Sequence, residues 1–280
     1  MDDPRLTPAR PDLAARYLEG KVSAARFVDG ETVEVIAPLA PLREAPRADA
    51  MLQTQALKGE RVTIYDRIES GWAWGQLESD GYVGWLPERV LGTPGPQPTH
   101  KVTALRTLVF PGPSIKLPPR AALALGTTIP VARIEANFAI THDRGYLPAQ
   151  HLAPLDQFEP DFVAVAERFV GTPYLWGGKS SLGIDCSGLV QVSLAASGIR
   201  APRDSDMQEE SLGSDAPLAQ ITKLQRGDLV FWKGHVAIAR DASTLLHANA
   251  HHMATAIEST RDAVARIAAA GSPVRRIKRL

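Results

Sequence analysis

From Glu31 to Pro87 the chain is written as short β-type runs cut by glycine, proline and aspartate about every 8–12 residues. The runs are Thr32-Val33-Glu34-Val35-Ile36, Arg61-Val62-Thr63-Ile64-Tyr65, Gly71-Trp72-Ala73-Trp74-Gly75-Gln76-Leu77 and Gly81-Tyr82-Val83-Gly84-Trp85-Leu86-Pro87. Segments this short rule out long helices. Their alternation offers one face of each run to a core, which is the pattern of a small β-barrel. The first thirty residues read instead as an arm: Leu6, Leu13, Tyr17 and Leu18 have helical spacing, but Pro4, Pro8 and Pro11 permit only a short helix near 11–18.

Gly92, Pro94, Gly95, Pro96 and Pro98 form a linker, and beyond it the text of the first module returns. Leu57-Lys58-Gly59 corresponds to Leu125-Gly126. Glu69-Ser70-Gly71-Trp72-Ala73-Trp74 corresponds to Glu135-Ala136-Asn137-Phe138-Ala139-Ile140, and Gly84-Trp85-Leu86-Pro87 to Arg144-Gly145-Tyr146-Leu147-Pro148. A duplicated β module follows from this self-similarity. The Gly-Trp-x-Trp strand followed by Gly-Tyr-Val-Gly-Trp-Leu-Pro resembles bacterial SH3 (SH3b) domains. The resemblance covers residues 31–92 and, without the tryptophans, residues 99–155.

At Asp161 the texture changes. Phe162, Val163, Val165, Ala166, Phe169 and Val170 have amphipathic helical spacing that stops at Gly171 and Pro173, and a second helix is expected from Cys186 to about Ser197, closed by Gly198. β-type runs follow at Asp228–Lys233, His235–Arg240 and Thr244–Ala248, then an Ala-rich helix over Thr260–Ala270. Helices first and strands afterwards predict an α+β domain over residues 160–280.

Composition narrows the function. Across 280 residues, 31 Lys and Arg balance 31 Asp and Glu, which removes the electrostatic case for nucleic acid. No apolar run has the length of a signal peptide or a membrane span, so a cytoplasmic protein without membrane attachment is expected. Cys186 is the one cysteine, so no disulfide and no cysteine-built zinc site can form.

Cys186 sits in Gly183-Ile184-Asp185-Cys186-Ser187-Gly188-Leu189-Val190, a loop running straight into an apolar helix. A helix N-terminus favours an anion, so the thiol is expected to ionise more readily than a free cysteine and to act as a nucleophile. Such a nucleophile needs a base, and the base an orienting partner. His235 opens the strand His235-Val236-Ala237-Ile238-Ala239 after a turn at Lys233-Gly234. His247 lies in Leu245-Leu246-His247-Ala248-Asn249, whose alternation turns it to the face of His235. Both are then expected on one sheet surface facing the Cys186 helix. His251 and His252 read as solvated loop residues, and a metal held by His235 and His247 lacks a third ligand. Gly227 and Asp228 are expected to shape the turn before the His235 strand.

Tyr174-Leu175-Trp176-Gly177-Gly178, Asp185-Cys186-Ser187-Gly188-Leu189-Val190, Arg203-Asp204-Ser205-Asp206-Met207-Gln208, Gly227-Asp228-Leu229-Val230-Phe231 and His235-Val236-Ala237-Ile238 occur in this order. Together they resemble the motifs of NlpC/P60 cysteine peptidases. The resemblance implies two small SH3-like β-barrels followed by an α+β, papain-like catalytic domain. It implies Cys186 as nucleophile, His235 as base, His247 as the orienting residue, and Tyr174 with the Cys186 amide as the oxyanion site. No cofactor is implied.

The two SH3b modules further resemble the γ-D-glutamyl-diamino-acid endopeptidases of murein peptide recycling. That likeness implies a murein peptide partner with a free N-terminal L-Ala, cut after γ-D-Glu and before meso-diaminopimelate or Lys. Glu44, Tyr82 and Asp204 are the candidates to hold the substrate amine, and Ser187 and Ser205 the D-Glu carboxylate. Trp176 belongs to the same substrate-binding set. Asp185 is either in that set or only a helix cap. A monomer is expected. A secreted cell-wall endopeptidase, a non-hydrolytic wall-peptide binding protein and a thiol acyltransferase remain open alternatives.

Overall fold

The computed structural model describes residues 3–280 and divides into two compact units, Met1–Leu155 and Asp156–Leu280. Residues 1 and 2 of the expected arm lie outside the described residues. The remainder of the arm differs from expectation: Pro4, Pro8 and Pro11 leave too few amides for an α-helix, and the chain forms a two-residue strand at Ala14–Ala15 and a 3-10 turn at Arg16–Leu18.

The β region that follows is a seven-stranded antiparallel sheet. Its order is Leu52–Leu57, Leu39–Arg43, Val83–Pro87, Trp72–Leu77, Arg61–Ile68, Glu31–Val35 and Leu91–Gly92. Alternation buries Val33 and Val35 of one strand, Leu42 of another, and Val62 and Ile64 of a third, around Leu77, Tyr82 and Leu86. The sheet does not close, so the expected first barrel is open. Its last strand has only two residues, and Pro94, Pro96 and Pro98 beyond it have no amide with which to extend the ladder.

Residues 99–155 depart further from a barrel. They form three small sheets: Thr128–Ile129, His100–Val102 and Leu152–Pro154; Arg106–Val109 with Ala121–Ala124; and Val131–Glu135, Phe138–Thr141 and Tyr146–Pro148. Pro111, Pro113, Pro118, Pro119 and Pro130 interrupt the ladders. The local order nonetheless matches the first region. In both, a hairpin is followed by a third strand, a 3-10 turn (Glu88–Val90 or Ala149–His151) and a short strand.

The second unit places three helices before all the strands of a six-stranded antiparallel sheet. The helices are Phe162–Glu167, Cys186–Ala196 and Ser205–Ser211. The sheet order is Ser214–Ala216, Arg276–Arg279, Leu229–Trp232, His235–Ala239, Thr244–Asn249 and Ala254–Ser259, and the helix Thr260–Ala269 follows the last of these in the chain. The first helix stops three residues earlier than its apolar spacing suggests. The hairpin turn is where expected, with Trp232 paired to His235 across Lys233-Gly234 and Gly234 at φ +72°. The Cys186 helix packs on the His235 and Thr244 strands. No helix among the described residues is long and apolar enough to cross a membrane.

Candidate active site

Asp185 fixes the start of the Cys186 helix. Its Oδ1 accepts from the Gly188 amide at 2.7 Å, and its Oδ2 accepts from the Gly177 amide at 2.7 Å. Arg203, fully buried, donates to both carboxylate oxygens, Nη1 at 2.9 Å and Nη2 at 2.7 Å. Arg203 also donates to the Ser187 hydroxyl at 3.0 Å and the Gly178 carbonyl at 3.3 Å, and the Gln208 amide nitrogen donates to the Ser187 carbonyl at 2.9 Å. This network locks the Tyr174–Gly178 loop against the nucleophile's helix. It also explains the glycines, because a Cβ at Gly188 would run into the Gly178 carbonyl oxygen.

Asp185 is therefore the helix cap of the two readings given above, and its carboxylate is fully engaged inside the protein. Ser187 is likewise turned into the network, 3.4 Å from Asp185 Oδ1. Asp204 and Ser205, both half-buried, begin the next helix, and the Asp204 side chain makes no cap hydrogen bond there.

The Cys186 thiol is buried, with the backbone amides of Val236 and Ser187 donating toward its sulfur. Val236 directly follows His235, so the strand end meets the helix start at this sulfur. Burial works against the ionisation expected from the helix N-terminus. Burial, joined by the negative charge of Asp185, pushes the thiol up to about 12, against the two amides and Arg203. Burial, followed by His247 and Arg266, pushes His235 down to about 3, while Glu258 works the other way. Each shift favours the neutral form of its own group.

His235 Nε2 lies 2.8 Å from His247 Nδ1, and His247 Nε2 lies 2.7 Å from Glu258 Oε1. Arg266 Nη2 donates to the same Glu258 oxygen. Strand register explains the line. His247 pairs with Ala256, so Glu258 is two residues along on the same face; Ile238 pairs with Leu246, so His235 is two residues along from the position level with His247. Three adjacent strands thereby carry three polar groups along one diagonal. The two imidazole nitrogens face each other too closely for a metal between them.

Tyr174 is held by its backbone, its amide donating to the Met253 carbonyl at 3.0 Å and its position bridging Ile184. Burial first, then the nearby Cys186 and Asp185, raise its phenol well above the ordinary value. Trp176 is 57% exposed. His251 and His252 are exposed.

Asp228 does more than shape the turn. Its Oδ2 accepts from the Gln225 amide at 2.8 Å, and Arg279 binds both carboxylate oxygens at 2.7 Å, tying the C-terminal strand to the sheet. Gly227, at φ +91°, packs on the Phe162 ring.

Glu44 and Tyr82 belong to the first unit. Glu44 is exposed beside the register shift at Leu42 and Arg43. Tyr82 is buried in the apolar core, with its hydroxyl donating to the Gln53 side chain at 3.2 Å. Its ring is thus part of the core.

Glu258, Arg266 and the pairing role of Arg203 are what sequence reasoning missed. The one local signal was Glu258-Ser259-Thr260-Arg261-Asp262, in which Ser259 caps a helix and so places Glu258 at the end of a strand.

A buried thiol at a helix start, met by the end of a strand whose histidine is held by a second histidine, defines a cysteine peptidase. Residues 171–267 match the NlpC/P60 family and residues 42–91 match the bacterial dipeptidyl-peptidase Sh3 domain. Dipeptidyl-peptidase 6 of Lysinibacillus sphaericus is 29% identical over 240 residues, covering 77% of this chain and 86% of the relative. Gamma-D-glutamyl-L-lysine dipeptidyl-peptidase of Bacillus cereus is 27% identical over 228 residues, covering 70% and 67%. A crystal structure of an NlpC/P60 family protein from Bacillus cereus superposes with a TM-score of 0.74 at 21% identity, covering 89% of this chain and 99% of that one, which shows a shared fold. The chain therefore carries an NlpC/P60 cysteine-peptidase domain with an SH3-like domain ahead of it.

Proposed function

We propose that this peptidase hydrolyses the bond between γ-D-Glu and the diamino acid, meso-diaminopimelate or Lys, of free murein peptides, releasing L-Ala-γ-D-Glu. The observation that carries the chemistry is the 2.8 Å contact between His235 Nε2 and His247 Nδ1, which leaves His235 Nδ1 to serve the thiol. The names of the relatives carry the bond.

In this reading Cys186 Sγ attacks the γ-carbonyl carbon as its proton passes to His235 Nδ1. The oxyanion forms against the Cys186 backbone amide and the Tyr174 hydroxyl. His235 returns the proton to the leaving amine as the C–N bond breaks, and water then hydrolyses the thioester. Ser205 and Asp204 meet the D-Glu carboxylate and the substrate amine, and Trp176 lies along the peptide. Asp185 and Ser187 act through Arg203 as positioning residues.

The domain division proposed with this function is an arm at 1–30, an SH3-like domain at 31–92, a divergent second copy at 99–155 and the catalytic domain at 160–280. The shared order of hairpin, strand, 3-10 turn and strand supports the second copy. Exposed Glu44 is the candidate in the first copy for the substrate amine. A requirement for a free amine confines the enzyme to peptides already cut from glycan, which fits a cytoplasmic recycling role.

The test is cleavage of L-Ala-γ-D-Glu-meso-diaminopimelate beside its N-acetylated form. Cleavage of the free-amine peptide alone is expected. Equal cleavage of both would replace the recycling reading with a general wall endopeptidase, and cleavage of neither would end the assignment of this bond.

A further inference from the structure

The hydrogen-bonded line from His235 continues past the orienting histidine. His247 is buried, and its Nε2 ends on Glu258, whose Oε1 also receives Arg266. A carboxylate has no proton to give, so His247 must carry its proton on Nε2 and donate it to Glu258. Neutral His247 then has its lone pair on Nδ1, and at 2.8 Å that lone pair can accept only a proton held on His235 Nε2. His235 Nδ1 is left unprotonated. One carboxylate, two residues removed, therefore decides which nitrogen of His235 is basic.

We propose that Glu258, kept ionised by Arg266, is a positioning residue that sets the tautomers of both histidines and so makes His235 Nδ1 the base for Cys186. The inference rests on the cysteine-peptidase reading and deepens it. Without the carboxylate, His247 can hold its proton on Nδ1; His235 then keeps its proton on Nδ1, facing the thiol, and cannot take another there. With the carboxylate in place the proton lost by Cys186 goes to His235 Nδ1. The imidazolium formed as the C–S bond closes is balanced through His247 by the negative charge of Glu258. The same proton leaves with the amine when the C–N bond breaks, so the line returns to its starting tautomers.

The surroundings agree. Partial burial would raise the Glu258 carboxyl, but the hydrogen bond from His247 and the charge and hydrogen bond of Arg266 hold it down at about 2. The groups facing Glu258 are His247 from the neighbouring strand and Arg266 from the following helix, with His235 one step beyond. The supply of Arg266 is local: Ser259 accepts from the Asp262 amide at 3.4 Å and caps the helix that brings Arg266 back over the strand it has just left.

Glu258→Gln tests this. We expect kcat on the tripeptide to fall by about 10- to 100-fold with KM within about twofold. We also expect the acid limb of kcat/KM to move to lower pH, because the imidazolium loses its counter-charge. The direct reading is 15N NMR of the imidazoles, in which wild type has Nε2–H at both histidines and the variant gains Nδ1–H. This spectrum needs no substrate, so a failure of the peptide assignment and a failure of the relay are told apart. Arg266→Gln supplies a second reading should Glu258→Gln not fold: loss of Nε2–H at His247 as pH falls through the ordinary carboxyl range. Unchanged tautomers in both variants, or a kcat loss in Glu258→Gln with an unmoved acid limb, would overturn the proposal.

Discussion

In the Glu31–Gly92 sheet the main core cluster is aliphatic, with Val35, Leu42, Val62, Leu77 and Leu86 packed about Tyr82, whereas in the Asp156–Leu280 unit Arg203, Asp185, Gln208, His247 and Asp228 are buried as deeply as leucines. The first region could be rebuilt from any well-filled set of apolar residues. The second cannot. Burying a charge costs several kcal/mol unless it is paired, and replacing such pairs by apolar residues is often neutral. Networks of this kind order a site more than they stabilise a fold. Their position agrees with that view: one lies under the Cys186 helix start, one behind His235, and one ties the C-terminal strand to the start of the Leu229 strand.

The difference can be pressed hardest at Arg203. Arg203→Met leaves the Asp185 carboxylate buried and unpaired, and should cost about 3–5 kcal/mol in denaturant unfolding, read in the second unit by hydrogen exchange. Adding Asp185→Leu to it should recover part of that loss, because no lone charge then remains. A double variant no better than the single would break the claim that pairing, rather than packing, is what the site needs. Leu42→Ala probes the other region and should cost about 2–4 kcal/mol through a cavity in the apolar core. Exchange should rise in the first sheet while the histidine relay keeps its spectrum.

Acid sharpens the same comparison with a smaller effect. His235 is held at about 3 against an ordinary 6.5, and Glu258 at about 2 against 4.5. The unfolded chain therefore binds protons that the folded one refuses. Stability from these groups is present above about pH 6.5 and is lost as pH falls toward 2–3. At the alkaline end the sign reverses, because the Cys186 thiol keeps its proton to about 12 while the unfolded thiol sheds it near 9, so stability falls as pH rises through that window. His235→Gln should flatten the upper part of the acid slope in denaturant midpoints. An unaltered slope would mean that His235 titrates freely in the folded state.

What could be read before the structure follows from which signals are local. The Cys186 helix, the His235 hairpin and the Thr260 helix each announce themselves by a cap, a Gly turn or an apolar period, and each lies within a residue or so of its expected span. The helix Ser205–Ser211 gave no such sign, since Ser-Asp-Met-Gln-Glu-Glu-Ser has no apolar stripe. Its sense appears only when Gln208 is seen bonding the Ser187 carbonyl. Arg203 stood inside a recognised motif, yet nothing in its neighbours said that its partner was eighteen residues earlier. Glu258 was hidden in Ala-Thr-Ala-Ile-Glu-Ser, a strand too weakly patterned to set a register, and without register no diagonal to His247 can be drawn. At Cys186 sequence shows the helix dipole but not the burial that opposes it.

The most direct measurement is intact-mass analysis of the enzyme quenched in acid during turnover of L-Ala-γ-D-Glu-meso-diaminopimelate, with Cys186→Ala treated in parallel. The account predicts an L-Ala-γ-D-Glu acyl adduct on the peptide containing Cys186 and none in the variant. An adduct carrying the diamino acid, or turnover that persists in Cys186→Ala, would contradict it.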